Sequence, residues 1–326
     1  MAEKIILDCD PGHDDAIAML IAAGNPNIEL LGITTVAGNQ TLPKVTHNAL
    51  AVSTVAGIDV TIAAGAAGPL VQKQIVAGDI HGASGLDGPV LPEPTVELDP
   101  RHAAQFIVDT VMSQPEKTVH LVPVGPLTNI ALAMRLEPAI IDRVKSVMLM
   151  GGAWTRGNTT PTSEFNVFAD PEAAACVFNA PWDVTMVGLD LTHQALAKAE
   201  LQDRVRAVGG DISQMVLDIW GFITSTYNEV YEFDYPPVHD AVCVAAIADP
   251  SVIHCERAFV AVELDGTWTR GMTVTNFAEG VAGMHHEWTG LKEYQPNTNV
   301  ATVLDWEKFA DIVVDAIQTL NDRKNS

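Results

Sequence analysis

The stretch IILDCDPGHDD at residues 5–15 decides how the chain folds, because a short apolar run passes directly into four carboxylates. The apolar half is typical of a buried β-strand, and residues 14–23 have the apolar spacing of a helix. The Pro11-Gly12 pair between them favours a tight turn. A strand, a turn and a helix in this order predict the first unit of a parallel α/β sheet.

The same alternation continues along the chain. Residues 30–36 are followed by a helical pattern at 43–56, and three further strand-helix pairs are predicted at 119–124 with 127–134, at 147–150 with 171–178, and at 184–189 with a helix from about 200. The strands are apolar throughout, as parallel strands buried on both faces are. Additional strands are predicted at 260–263, 273–275 and 300–304, before a closing helix at 306–320.

These elements predict the α/β fold class. We expect a single open αβα domain over residues 1–326, with a mostly parallel central sheet, a Rossmann-like core and additional C-terminal strands. No Pro/Ser-rich linker and no internal repeat of fixed period divides the chain.

The charge of the chain restricts the kinds of molecule that it is expected to bind. The 326 residues include 18 Lys and Arg against 41 Asp and Glu, a formal net charge of -23, and no basic run offers a patch for polyphosphate. This disfavours nucleic acid and anionic membranes and favours a small neutral ligand. The cysteines have no paired spacing and indicate reduced thiols. With no signal-peptide pattern and no 18-residue apolar span, we expect a cytoplasmic protein.

The carboxylates after the first strand predict a cation. Asp14 and Asp15 lie at a helix N-terminus, which stabilises each by about 0.3 to 1 kcal/mol. That is too little to keep Asp10 ionised beside them, and all-oxygen ligands suit Ca²⁺ or Mg²⁺. A capping Asp with solvated neighbours is the simpler alternative. An EF-hand is excluded, because Met19 stands where that loop needs a bidentate Glu.

Polar and glycine signals follow other predicted strands. Asn39 follows the strand at 30–36, Val124-Gly125 ends the strand at 119–124, and Gly151-Gly152 follows the strand at 147–150. Ligands of open α/β sheets bind outside the carboxyl ends of the strands, so these signals predict one shared site. Taken singly, Asn39 could be a turn former and the glycine pair a point of close packing.

Two long segments without clear periodicity, 73–94 and 155–166, are expected to be functional loops. The first contains His81, and the second ends on Glu164 and Asn166. His239 and Asp240 lie at a predicted helix start. Simpler interpretations stay open: Asp240 as a helix N-cap, His239 as a satisfied core histidine, and His81 as a hydrogen-bonding loop residue.

Five motifs in order make the sequence resemble the inosine-uridine-preferring nucleoside hydrolases. They are D-x-D-P-G-x-D-D at 8–15, VAGN at 36–39, MGG at 150–152, EFN at 164–166 and VHD at 238–240. The resemblance spans nearly the whole chain. VPVGPL at 122–127 and IHG at 80–82 place it nearer the bacterial pyrimidine-leaning ribonucleoside hydrolases.

The resemblance implies the fold of that family and hydrolysis of the N-glycosidic bond of ribonucleosides to ribose and free base. The substrates implied are pyrimidine nucleosides such as uridine and cytidine, with inosine as a further possibility. It also implies a role in nucleoside salvage and a homodimer or homotetramer. Neither the base preference nor the choice between dimer and tetramer follows from the sequence.

The resemblance also assigns roles to individual residues. One Ca²⁺ per subunit is expected on Asp10, Asp15, Asp240 and the backbone carbonyl of Val124, with Asp10 activating the attacking water. His239, and after it His81, is expected to assist the leaving base. The ribose is expected to bind Asp14, Asn39, Asn158, Glu164 and Asn166.

The aromatic stretch from Trp220 to Tyr235 adds two candidates for stacking on the base, Tyr227 and Tyr231. The same spacing is common in helix cores.

Two other functions remain. One is a non-catalytic Ca²⁺-dependent nucleoside- or ribose-binding protein. The other is a Mg²⁺-dependent phosphohydrolase built on Asp8-x-Asp10, which would need a Lys at another strand end. No Lys or Arg occurs within 8–15, 36–41 or 236–242, so nucleosides are expected in preference to nucleotides.

Overall fold

The computed structural model describes residues 2–230, 234–277 and 295–325, with backbone only for 227–230. Within these residues the chain forms one ten-stranded sheet. Its strands in chain order are β1 (Glu3–Cys9), β2 (Ile28–Thr35), β3 (Ile62–Ala64), β4 (Leu98–Asp99), β5 (Val119–Pro123), β6 (Ser146–Met150), β7 (Val184–Val187), β8 (Ile253–Val262), β9 (Thr273–Asn276) and β10 (Thr298–Leu304).

The strand order is β4-β3-β2-β1-β5-β6-β7-β10-β8-β9. Every pairing is parallel except those of β8 with β10 and with β9. The chain moves outward from β1 in one direction through β4 and then returns to β5 on the other side of β1. The carboxyl ends of β1 and β5 therefore flank a topological switch point, where open α/β sheets form their binding crevice.

Helices cover both faces of the sheet. They are α1 (His13–Gly24), α2 (Leu42–Ala56), α3 (Gly78–His81), α4 (Ala103–Ser113), α5 (Thr128–Leu136), α6 (Ile140–Arg143), α7 (Phe165–Ala169), α8 (Pro171–Phe178), α9 (Leu189–Thr192), α10 (Ala199–Val208), α11 (Gly210–Val230), α12 (Ala241–Ala248) and α13 (Trp306–Asn325). Along β1, Ile5 and Leu7 belong to one hydrophobic cluster and Ile6 to the other. Alternate side chains of β1 thus enter both helical layers, and the α/β prediction is confirmed.

Helix α1 is held at its start by a carboxylate from its own first turn. Asp15 accepts hydrogen bonds from the backbone N–H groups of Gly12 at 2.9 Å and Asp10 at 3.0 Å. The helix then runs through the almost fully buried segment 16–22 and packs against α12 and α13. This packing fixes the turn between β1 and α1, which carries the acidic cluster.

The predicted strand-helix pairs are confirmed, but other parts of the chain differ from the prediction, and helix α4 was not predicted. β3 and β4 were not predicted, because strands of three and two residues are too short for a hydrophobic period. β8 begins at Ile253, earlier than the predicted start at residue 260. Its first half was not predicted because exposed charged residues hide the strand pattern there. The expected loop at 73–94 contains the single helical turn α3.

The single domain stays a prediction. Among the described helices, none combines the length and the apolar character needed to cross a bilayer.

Candidate active site

Asp10 follows the last residue of β1 and is completely buried. Its Oδ2 accepts a hydrogen bond of 2.6 Å from the backbone N–H of Asn39, just beyond β2. Its Oδ1 is buried without a hydrogen-bond partner in the described part of the chain. A buried, unpartnered carboxylate oxygen is costly, so this atom is a site for a proton, a water molecule or a cation.

Two glycines make room for this carboxylate. A Cβ at Gly38 would overlap Asp10 Oδ2, and a Cβ at Gly125, just after β5, would overlap Oδ1. The strand ends on both sides of β1 thus approach Asp10 as closely as backbone can. This explains the glycine that follows Val124 in the sequence.

Asp14, Asp15 and Asp240 form a cluster in which one carboxylate oxygen from each residue lies within 4.8 Å of the others. Asp240 precedes α12, but its side chain makes no capping hydrogen bond. The N-cap interpretation of Asp240 is therefore wrong. Asn39 joins the cluster to Asp10, since its Nδ2 donates to Asp15 Oδ2 at 3.1 Å and to the Asp10 carbonyl at 3.2 Å.

The electrostatics of these carboxylates are unfavourable without a counter-charge. Burial and repulsion from neighbouring carboxylates raise the pKa of Asp10 and Asp240 well above the ordinary value, and the pKa of Asp14 to about 7. Burial also raises the pKa of Asp15, although the N–H groups of Gly12 and Asp10 oppose this. No ion pair within the described residues reaches any of the four. The cluster therefore has the donor set of a cation site.

A cavity of about 610 Å³ opens above this cluster. Nine residues that the sequence proposed for the site line it: Asp14, Asn39, His81, Val124, Asn158, Glu164, Asn166, His239 and Asp240. Asp10 and Asp15 are completely buried and do not line the cavity. An apolar wall completes it, formed by Ile75, Val76, Ile80, Met150, Phe165 and Phe168. A nucleoside is of the size that such a cavity accommodates.

Glu164 is held at the cavity by backbone donors. It caps α7, with Oε1 accepting from the N–H of Asn166 at 2.8 Å and Oε2 accepting from Val167 at 3.1 Å and Gly152 at 2.9 Å. Burial still raises its pKa to about 7. Gly152 has φ +77, and this conformation explains the second glycine of the pair after β6.

Two amide side chains, those of Asn166 and Asn158, also line the cavity. Asn166 Nδ2 donates to the Val124 carbonyl at 2.9 Å and to the Met150 carbonyl at 3.2 Å. Asn158 Oδ1 accepts from the N–H of Phe165 at 2.9 Å. The loop at 155–166 therefore contributes ordered polar groups to the cavity.

His239 and His81 line the cavity as neutral imidazoles. His239 Nδ1 lies 2.6 Å from Thr192 Oγ1, and burial lowers the pKa of His239 to about 3. Burial lowers the pKa of His81 well below its ordinary value. Neither histidine therefore holds a second proton at neutral pH in the ligand-free protein. The sequence did not assign a role to His13, whose Nδ1 lies 3.0 Å from His81 Nδ1. Its only signal was its place within the acidic run.

Two other buried aspartates, Asp8 and Asp170, do not line the cavity. Asp8 accepts from Asn129 Nδ2 at 2.8 Å and from the Thr34 hydroxyl inside the sheet. Asp170 caps α8 through the Ala173 N–H. The side chain of Tyr227 and the whole of Tyr231 lie outside the described residues, so their stacking on the base stays a prediction.

Residues 5–311 match the family described as inosine-uridine preferring nucleoside hydrolase. The chain belongs to this family. It is 51% identical to the inosine-uridine preferring nucleoside hydrolase of Leishmania major over 324 residues, which cover 99% of each chain. It is 44% identical to the pyrimidine-specific ribonucleoside hydrolase RihB of Escherichia coli over 315 residues, which cover 97% of each chain.

Solved structures of nucleoside hydrolases have the same fold. A plant nucleoside hydrolase, PpNRh1, superposes with a TM-score of 0.88 at 29% identity, over 98% of this chain and 99% of the other. A purine-preferring ribonucleoside hydrolase from Gardnerella vaginalis gives 0.87 at 30% identity over the same shares. The predicted family, fold and enzyme class are confirmed. The roles of individual residues are not tested by these likenesses.

Proposed function

We propose that this nucleoside hydrolase cleaves the N-glycosidic bond of ribonucleosides to give ribose and free base. One observation carries the proposal: a single cavity brings together an acidic cation site, a set of carboxylate and amide groups, and two histidines. The similarity of the chain to an inosine-uridine preferring and to a pyrimidine-specific hydrolase supports uridine, cytidine and inosine as substrates.

The cation is proposed to be one Ca²⁺ per subunit, on Asp10, Asp15, Asp240 and the Val124 carbonyl. The unpartnered Asp10 Oδ1 and the raised pKa values of the carboxylates support the fit. The Val124 carbonyl already accepts from Asn166 and retains a second lone pair. Held by these residues, calcium would neutralise the carboxylates and would lower the pKa of a nearby water molecule. Asp14 lies near enough to Asp15 and Asp240 to share the ion.

Asp10 is proposed as the base that activates water. The Asn39 N–H holds its Oδ2, and Oδ1 has two lone pairs, one for the cation and one to accept a proton from the water. The water oxygen then bonds to C1′ as the C1′–N bond breaks, and the electron pair of that bond leaves with the base. The proton taken up by Asp10 is released to solvent and the base nitrogen takes up a proton, so that ribose and neutral base are the products.

The ribose is proposed to bind Asp14, Asn39, Asn158, Glu164 and Asn166. Departure of the base builds positive charge on the sugar ring, which carboxylates and amide oxygens stabilise more in the transition state than in the ground state. Glu164 is suited to this role because three backbone N–H groups hold its carboxylate in place.

His239 is proposed to stabilise the departing base by donating an N–H hydrogen bond. Because burial lowers its pKa to about 3, it acts from the neutral form. His81 is the second residue proposed to contact the base. Stacking by Tyr227 and Tyr231 belongs to the same proposal.

The cellular setting is also a proposal. The residues support a cytoplasmic enzyme of nucleoside salvage, a single domain and a homodimer or homotetramer, with no nucleic-acid or membrane partner for a chain of net charge -23.

The test is release of free ribose from uridine and from inosine by the pure protein with calcium. Ribose release supports the proposal, whereas binding of either nucleoside without release would favour the calcium-dependent binding protein. A phosphohydrolase is not supported, because no Lys or Arg is among the described residues that line the cavity.

A further inference from the structure

His13 lies behind the cavity wall between two aromatic rings. Its ring is parallel to Phe222, with an interplanar angle of 1° and 5.1 Å between centroids, and the centroid of the His81 ring lies 5.2 Å away at an interplanar angle of 27°. Only 2% of His13 is exposed. A side chain so enclosed reaches a substrate only through the residue in front of it, which is His81.

The hydrogen bonds of His13 determine where its proton lies. Its Nε2 is 2.8 Å from the carbonyl oxygen of Asp87. A carbonyl only accepts, so His13 Nε2 carries the hydrogen. In the neutral imidazole, which burial favours, His13 Nδ1 then has a lone pair and must accept. Its partner at 3.0 Å, His81 Nδ1, is therefore the donor.

This order leaves His81 with its lone pair on Nε2. The Nδ1 edge of the His81 ring faces His13 and also Gly12, where a Cβ would come within 2.6 Å of Nδ1. His81 lines the cavity, and its Nε2 makes no hydrogen bond in the described part of the chain. It is the ring nitrogen that remains for a ligand.

We propose that His13 is a positioning residue, which orients the His81 ring and fixes its proton on Nδ1, so that His81 offers Nε2 to the substrate as a hydrogen-bond acceptor. The effect of His13 on turnover rests on the proposed function, whereas the tautomer of His81 does not. The ligand group recognised at Nε2 is a hydrogen-bond donor, such as a ring N–H of the base or a sugar hydroxyl. The donor role towards the departing base then belongs to His239.

The tautomer is tested directly in the ligand-free protein with calcium. Long-range proton-nitrogen correlation spectra of protein labelled with ¹⁵N-histidine distinguish the two neutral forms of each ring, and loss of one signal set in His81→Gln assigns His81. The expected result is N–H on Nδ1 for His81 and on Nε2 for His13. A hydrogen on Nε2 of His81 would overturn the proposal, whether or not the protein hydrolyses nucleosides.

The positioning role is tested with two variants at one site. His13→Phe keeps the ring stacking on Phe222 and removes both nitrogens, whereas His13→Asn places an amide oxygen near the position of Nδ1. On uridine, we expect kcat/KM to fall about tenfold or more in His13→Phe and to recover largely in His13→Asn.

The control is the same pair of substitutions in a His81→Ala background. There His13→Phe should change kcat/KM less than about twofold, because the residue through which it acts is absent. An equal loss in both backgrounds would mean that His13 supports the acidic turn and not His81, and the positioning role would be discarded. If the unsubstituted enzyme released no ribose, the proposed function would fail while the spectra still decided the tautomer.

Discussion

The backbone N–H of Asn39 donates a hydrogen bond of 2.6 Å to Asp10 Oδ2, across 29 positions of sequence. The bond joins the residues that follow two neighbouring strands, β1 and β2. It fixes which oxygen of Asp10 is engaged and which is left for chemistry. The first prediction tests this division of roles.

Asp10→Asn should lower kcat on uridine by about 100-fold or more, because an amide cannot take the proton of water. Because the side chain keeps its size, we expect the free energy of unfolding to change little, so that the loss of kcat does not come from unfolding. Steady-state kinetics and thermal unfolding measure the two effects. Asp315→Asn, at an exposed position on α13, is the matched control and should behave as the unsubstituted enzyme. Comparable kcat for Asp10→Asn would remove it as the base.

Calcium should raise the Tm, and the gain should grow as the pH rises from about 5 to about 7. In the metal-free protein the pKa of Asp14 is raised to about 7 by burial and by Asp15, so protons compete with the ion below that pH. Buried histidines, whose pKa is lowered by folding, also make the protein more stable as the pH rises, but this contribution cancels when Tm is compared with and without calcium. Differential scanning fluorimetry with EGTA or calcium at each pH gives the comparison. A gain that shrinks over this range would contradict the site.

Asp240→Asn should abolish most of the calcium-dependent gain in Tm, because it removes one of the three clustered carboxylates. Without calcium the variant should be at least as stable as the original chain, since one buried charge has gone. Calorimetric titration with calcium measures the affinity. Unchanged affinity would exclude Asp240 as a ligand.

Glu164→Gln should lower kcat/KM about tenfold to 100-fold and destabilise the fold by about 1 to 3 kcal/mol. The amide NH₂ would face one of the backbone N–H groups that the carboxylate now accepts from. Urea unfolding and uridine kinetics report the two effects. Glu256→Gln, on an exposed part of β8, is the control. If kcat/KM were retained while stability fell, Glu164 would be a helix cap only.

His239→Ala should impair hydrolysis of uridine much more than hydrolysis of a nitrophenyl riboside, because an activated leaving group needs little help to depart. The ratio of the two kcat/KM values is the measurement, and His254→Ala at an exposed position serves as control. Equal losses on both substrates would leave His239 without a role in assisting the base.

The sequence predicted the site well where chemistry lies close to a strand end. Asp10, Asn39 and Val124 are each placed by the end of a parallel strand, and nine of the proposed residues line one cavity. What it could not predict depends on distant parts of the chain. The partnership of His13 with His81 spans 68 positions and arises because α3 folds back against the turn before α1. No local period encodes such a contact.

The sequence also did not indicate that the histidines at the cavity are neutral. A histidine in a sequence has an ordinary pKa near 6.5, which suggested a proton donor at neutral pH. Burial at the cavity wall lowers the pKa of His239 to about 3. Burial is a property of the packed structure, so the manner in which these residues act could be assigned only from it.

The two sides of the cavity differ in how freely they can change. Asp10 is enclosed by backbone at Gly38 and Gly125, so the positions around Asp10 tolerate almost no substitution. The apolar wall comes instead from side chains, such as Ile75 and Val76 on a connecting segment and Phe168 on the short helix α7. Substitutions in the apolar wall can therefore alter which nucleobase is preferred during evolution, while Asp10 and the backbone around it stay unchanged. Efforts to retarget the enzyme should begin at those wall positions.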